Sequence, residues 1–171
     1  RDRFSLVAYS TTASIKIAPT AMDEAGLVAV ESAIDALQEG GQTNLWDGLY
    51  TGLQLLCGDN AAGTAAGDDA TTLEGDRVRA VFLLTDGQPN ITPPRGHVPM
   101  LQRYKEEHGL ACTVSTFGFG YDLDSEILTD LAAEGQGIYA FIPDGSFVGT
   151  TFVNAVSSTL ATCARQVVVK I

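Results

Sequence analysis

Val78-Arg79-Ala80-Val81-Phe82-Leu83-Leu84-Thr85-Asp86-Gly87-Gln88-Pro89-Asn90 is the stretch that carries the architecture of this chain. Its apolar run reads as a strand buried on both faces, as in a parallel sheet covered by helices. The run stops at an acid followed by glycine and proline, so Asp86 sits where the strand gives way to a turn. Open α/β sheets bind ligands at that carboxyl-end rim. A carboxylate held there attracts a cation or a polar ligand, and Asp86 is the first candidate for chemistry.

Working outward, Phe4-Ser5-Leu6-Val7-Ala8-Tyr9 and Ala13-Ser14-Ile15-Lys16-Ile17 are short strand patterns flanking Ser10-Thr11-Thr12, which predicts an antiparallel hairpin. Thr20 and Asp23 form an approximate capping box for a helix running to about Leu37. Met22, Leu27, Val30, Ile34 and Leu37 recur at helical spacing in it, and Gly40-Gly41 ends it. A second helix is predicted from Leu45 to about Leu56, with Asn44 or Thr43 as its N-cap. Residues 58–76 are Gly, Ala, Asp and Thr without period and read as an exposed, mobile loop.

A proline-rich loop at 88–94 leads to a helix at 97–108, a strand at 111–117 and a helix at 125–134. A strand at 138–142, a helix from 147 to about 164 and a last strand at Val167-Val168-Val169 complete the pattern. Strands alternating with helices predict parallel βαβ units. The expected fold class is α/β, Rossmann-like and doubly wound, a mostly parallel sheet with one antiparallel edge strand and helices on both faces. No internal repeat is visible.

A length of 171 residues suits a single domain with a real core, and 45% apolar against 18% charged residues argues against wholesale disorder. The formal net charge of −11 disfavours nucleic acid and anionic membrane surfaces. It suits divalent cations or basic partners, and equally suits mere solubility. No apolar run approaches the roughly 18–20 residues of a membrane span. The chain opens at Arg1 without Met or a signal-type apolar region, which reads as a fragment whose targeting is not legible. Cys57, Cys112 and Cys163 are widely spaced with no Cys-x-x-Cys pair, so buried or inert thiols are expected.

Several motifs fail. Gly118-Phe119-Gly120 follows a strand, but the third glycine of a dinucleotide fingerprint would fall at Leu123; a turn needing positive φ and a close helix–strand approach explains the pair. There is no GxxxxGK[ST] loop and no Gly-x-Ser-x-Gly elbow. Gln88 stands where aspartyl-phosphate hydrolases carry a second acid. His97 and His108 lie at opposite ends of one predicted helix, cannot share a metal, and read as solvated. Asp59, Asp68 and Asp69 lack EF-hand spacing and read as loop charges.

One constellation remains. Gly40-Gly41-Gln42-Thr43-Asn44-Leu45 places a hydroxyl in a tight loop, and Thr85-Asp86-Gly87 places a carboxylate at the end of a buried strand. Both oxygens suit a hard cation such as Mg²⁺ or Ca²⁺. Two structural roles compete: Thr43 as the cap of the following helix, and Asp86 as the side chain closing an Asx-type turn onto Gln88.

These two loops, in this order and spacing, resemble the von Willebrand factor type A domain. The resemblance covers nearly the whole chain: residues 4–10, the 40–45 loop with Asp47 and Gly48 behind it, and Leu83-Leu84-Thr85-Asp86-Gly87. It continues through Thr116-Phe117-Gly118-Phe119-Gly120, residues 128–133 and Gly137-Ile138-Tyr139-Ala140-Phe141-Ile142. The segment 141–150 is similar to a narrower subgroup, intracellular proteins of plants and unicellular eukaryotes whose domain sits beside ubiquitin-ligase or intein-like modules.

The resemblance implies a metal-ion-dependent adhesion site on the sheet rim, built from Asp-x-Ser-x-Ser after the first strand, a threonine and a third-loop aspartate. Thr43 matches the threonine and Asp86 the aspartate, with Asn44, Gly87 and Gln88 on the partner-binding rim. The implied cofactor is Mg²⁺ (or Ca²⁺ or Mn²⁺), and the implied partner is a protein whose acidic residue completes the coordination.

The departure is that no Asp-x-Ser-x-Ser precedes Phe4, and none useful follows. The expectation is one domain over 1–171, truncated at its N-terminus, with about 166–171 leading toward a following domain. A longer parent would supply the missing ligands, and this fragment would bind cation weakly or not at all. By family sheet order the missing strand lies between the strands at 4–9 and 78–85; either a longer parent supplies it, or the sheet closes the gap or leaves two open edges. The expected function is a non-enzymatic protein-interaction module. The alternatives are a metal-free scaffold or oligomerisation element and, behind it, a metal-dependent hydrolase using Asp86.

Overall fold

The computed structural model describes residues 2–38, 40–57 and 78–161. β1 (Arg3–Tyr9) and β2 (Ala13–Ala21) form the expected antiparallel hairpin. β2 runs further than the sequence suggests, so Thr20 lies in the strand opposite Phe4 and does not cap a helix. Pro19 is tolerated because β2 pairs on one side only and its register against β1 shifts between Phe4 and Leu6. The cap of α1 (Glu24–Asp35) is instead Asp23, whose carboxylate accepts from the Gly26 amide at 2.9 Å.

The remaining elements follow the predicted alternation: α2 (Leu45–Cys57), β3 (Ala80–Thr85), α3 (His97–His108), β4 (Thr113–Phe119), α4 (Ser125–Glu134), β5 (Gln136–Ile142) and α5 (Val148–Leu160). A single 3₁₀ turn at Gly145–Phe147 precedes α5. β4 begins and ends two residues later than expected, because Gly118 and Phe119 pair with Phe141 and Ile142 of β5. The two glycines there do what their spacing suggested. Gly120 adopts φ +79°, and a Cβ on Gly118 would meet the Leu123 side chain at 2.5 Å. The expected loop at 58–76, the strand at 167–169, Cys163 and the 166–171 exit lie outside the described residues.

Strands β3, β4 and β5 form one parallel sheet in that order, and β1–β2 form a separate antiparallel one. The expected single sheet is therefore present as two pieces. No hydrogen-bonded ladder joins β1 to β3, and α2 bridges them by packing on β1, β2 and β3. Gly48 permits this approach, since a Cβ there would strike the ring of Tyr9.

The core has two layers. On one face Leu45, Leu49 and Leu53 of α2, Leu101 of α3 and Leu128 and Leu131 of α4 pack with Leu83 and Val114. On the other, Phe117 and Ile142 meet Ala155, Phe82 and Phe152, covered by α5. Each fully buried side chain of this kind contributes about 1.5–3 kcal/mol. Cys112 is buried, as an inert thiol would be.

His97 corrects the solvated reading. It is 3% exposed at the start of α3, which the chain enters through Gly96 at φ +84°. Burial lowers its pKa, and the charge of Asp124 opposes that shift. His108 is exposed as expected. Among the described residues no helix is long and apolar enough to cross a membrane.

Candidate functional site

The end of β3 is held by Thr85. Its buried hydroxyl donates to the Gly87 carbonyl at 2.9 Å and accepts from the Gly87 amide at 3.4 Å. Thr85 therefore closes a turn onto Gly87, and the Asp86 side chain is exposed at the rim.

The opposing loop is shaped by two glycines at positive φ, Gly40 (+146°) and Gly41 (+83°). It is stitched to the β1–β2 turn: the Asn44 amide donates to Ser10 O at 2.8 Å, Asn44 Nδ2 to Thr11 O at 3.0 Å, and the Gln42 amide to Thr11 Oγ1 at 3.2 Å. Asn44 Oδ1 accepts from the Asp47 amide at 3.2 Å, which makes Asn44 the cap of α2. Asn44 thus takes the capping role that competed for Thr43.

Thr43 is fixed through its backbone by Asn90. Its amide donates to Asn90 Oδ1 at 2.8 Å, and the Asn90 amide donates to Thr43 O at 3.2 Å. This exchange locks the 40–45 loop to the loop after β3 and brings Thr43 and Asp86 to one cavity of about 620 Å³. Tyr9, Ser10 and Thr12 of the hairpin end, with Leu84 and Thr85, complete that part of its wall. Asn44, Gly87 and Gln88 do not line it; Gln88 Nε2 donates to Asp122 Oδ1 at 3.1 Å and ties the rim to the loop after β4.

Tyr9 and Asn90 are the residues that sequence reading missed. Tyr9 looked like an ordinary strand end, yet its Oη donates to Leu84 O at 2.6 Å across the gap between the sheets. Its pKa is pushed up to about 12, chiefly by burial; a hydrogen bond with Thr85 opposes this, and the charge of Asp86 adds to it. Asn90 was legible only as a turn former, although an Asn side chain can stand in for backbone in a loop.

Tyr9→Phe is expected to cost about 1 kcal/mol near neutral pH, the worth of one internal hydrogen bond. It also removes a pH dependence. In the unfolded chain the hydroxyl ionises near its ordinary value of 10.0, and in the folded chain near 12. Unfolding therefore releases a proton within that window, and wild-type stability falls as pH rises through it. Urea midpoints across the alkaline range should show the wild type losing more stability than Tyr9→Phe.

Thr43 and Asp86 offer oxygens, and among the described residues no histidine or cysteine lines the cavity, although Lys16 does. These oxygens fit a hard cation in kind and fall short of a full coordination shell in number. Among the described residues, no group of three or more His, Cys, Asp or Glu side chains could hold a metal.

The family model for the von Willebrand factor type A domain matches residues 1–153. The chain belongs to the von Willebrand factor type A family. These are protein-interaction domains, and the Rossmann-like α/β fold is the family's own. An uncharacterized protein of Synechocystis, sll0103, is 30% identical over 151 residues, 88% of this chain and 31% of the relative. The chain thus spans about a third of that relative's length. A von Willebrand factor type A structure from Catenulispora acidiphila superimposes with TM-score 0.71 at 18% identity, covering 92% of this chain and 34% of that one. Proximal thread matrix protein 1 of the mussel byssus, solved with a zinc-occupied adhesion-site (MIDAS) motif, gives TM-score 0.59 at 18% identity, covering 93% and 34%. At these identities the structural likenesses establish the fold.

Proposed function

We propose that this von Willebrand A domain is a non-enzymatic protein-interaction module whose contact surface is the rim around Thr43 and Asp86. In this reading the two residues supply part of a metal-ion-dependent adhesion site. Thr43 offers a hydroxyl and Asp86 a carboxylate to Mg²⁺, or to Ca²⁺ or Mn²⁺ in its place. Segments beyond these 171 residues supply the other protein ligands. A cation held there would leave a coordination position for an acidic side chain of the partner protein, and Asn44, Gly87 and Gln88 would flank that contact.

The observation that supports this most is the shared cavity: residues from loops far apart in the chain meet there, and Asn44, not Thr43, caps the helix that follows. The relative with zinc in its adhesion site supports the donor chemistry by family likeness. A hydrolase is the weaker reading: among the described residues the cavity is lined by no histidine or cysteine that could act as base or nucleophile.

Two protein oxygens leave most of an octahedral shell to water, so Mg²⁺ binding to these residues alone should be weak. Calorimetric titration with MgCl₂ is expected to give a low-affinity isotherm that Asp86→Ala abolishes and Thr43→Ala weakens. Tight binding, or binding that survives Asp86→Ala, contradicts the proposal.

A further inference from the structure

Each of the two sheets turns one edge away from the other sheet, β2 in one and β5 in the other. These outer edges are built differently. β2 carries Lys16 and Pro19, residue types that blunt an edge against further pairing. β5 has neither a charge nor a proline along its seven residues, Gln136-Gly137-Ile138-Tyr139-Ala140-Phe141-Ile142.

Hydrogen bonds to β4 fix which backbone groups of β5 face outward. The Gly120 amide donates to Ile142 O at 2.9 Å, and the Ile138 amide donates to Ser115 Oγ at 3.2 Å. Both residues thus turn their backbone toward β4. Alternation along the strand aims the N–H and C=O of Tyr139 and Phe141 the other way. No strand lies on that side among the described residues. Apolar side chains flank these groups, with Ile138 at 47% and Phe141 at 42% exposure, three positions apart and so on opposite faces. The Phe141 ring meets the ring of Tyr121 edge-on at 5.4 Å, and Tyr121 is 83% exposed.

Charge around this edge is one-sided. Residues 106–164 contain eight acids and no lysine or arginine. Glu107 and Glu134 are bridged to Arg103 and Lys105 of α3. Asp122 and Asp124 follow Tyr121 in the loop after β4, and Asp144 follows β5.

We propose that the outer edge of β5 is a docking site for an extended basic segment of a partner protein, added to the sheet as a further strand. The segment bonds to the backbone of Tyr139 and Phe141. On one face its apolar side chains cover Ile138, and on the other an arginine lies against the Phe141 and Tyr121 rings beside Asp122. Charge decides between this occupant and a second copy of the chain. Two chains of net charge −11 repel one another, and acids border the edge itself. Neither Thr43 nor Asp86 takes part, so this inference and the metal-site reading fail separately.

The test is hydrogen exchange followed residue by residue, in chelator and at a concentration where light scattering gives a monomer. The probe is a peptide as long as β5 that alternates valine and arginine. One control peptide carries glutamate for arginine, and the other a central proline. With probe about tenfold above its dissociation constant, the Tyr139 and Phe141 amides should slow together, on the order of tenfold. Neither control should protect them at that concentration. Tyr121→Ala, a change at an exposed ring, should weaken the probe several-fold. Five results overturn the site: no slowing of these two amides, slow exchange before any peptide is added, equal protection by either control, unchanged affinity in Tyr121→Ala, or protection that grows with protein concentration alone. The last would make the edge an interface between copies.

Discussion

Phe117→Ala should destabilise the domain by about 3–5 kcal/mol, as for other buried aromatic residues truncated in a core. Phe117 is 1% exposed at the centre of β4. Its ring stacks on Phe152 of α5 at 4.9 Å and 11°, and lies 5.1 Å from Phe82 of β3. Its removal takes away the stacked contact between α5 and the sheet and leaves a cavity beside Ile142 and Ala155. The consequence reaches the rim, because Phe117 pairs with Leu84, two residues before Asp86. Guanidinium denaturation provides the measurement, with Val153→Ala as the control. Val153 is on the same helix but 64% exposed, and its loss should change stability by less than about 0.5 kcal/mol. Equal effects from the two would show that α5 is not docked as described.

Gly137→Ala should cost about 3 kcal/mol through a different mechanism, overpacking against main chain. A Cβ at Gly137 runs into the carbonyl of Val114 and crowds Ser115 Oγ. The neighbour is backbone, so no rotamer change relieves the clash, and β5 must shift. That shift breaks the 3.2 Å bond from the Ile138 amide to Ser115 Oγ, at the point where the β4–β5 register is irregular between Val114 and Thr116. Gly149→Ala is the comparison: nothing lies within 4 Å of its added Cβ, and it sits in a helix. There alanine should be neutral or stabilising by up to about 1 kcal/mol. A Gly137→Ala variant as stable as wild type would mean that this register is wrong.

Much of this architecture was legible because local chemistry and tertiary packing agree. The Asp124 carboxylate accepts from the Ile127 amide, and α4 begins at Ser125 as its pattern indicated. α3 likewise spans His97–His108 as expected. The misreadings arose where tertiary pairing overrode a local signal. Thr20 has the composition of a cap, but pairing with Phe4 keeps it in β2 and passes the cap to Asp23. His97 looked solvent-facing because a helix-end position says nothing about what packs over it, and its side chain is buried.

At the rim, the chemical types of Thr43 and Asp86 and their loops were readable, whereas the devices that position them were not. Asn90 holds the Thr43 loop through a contact between residues 47 positions apart, and Tyr9 reaches Leu84 across 75. Neither separation leaves a periodic trace in one sequence. The interruption between the sheets is what the sequence reading expects where the strand that a longer parent would supply is not among these residues and the gap is not closed.

Whether Thr43 and Asp86 serve a single ion is best measured by titrating the nitrogen-labelled protein with Mn²⁺ and following paramagnetic broadening of each amide. Broadening should appear at the 40–45 loop and at Asp86 and Gly87 over the same range of Mn²⁺ concentration, and should vanish from both loops in Asp86→Ala. Broadening at one loop alone, or its persistence around Thr43 once Asp86 is gone, would contradict a shared site.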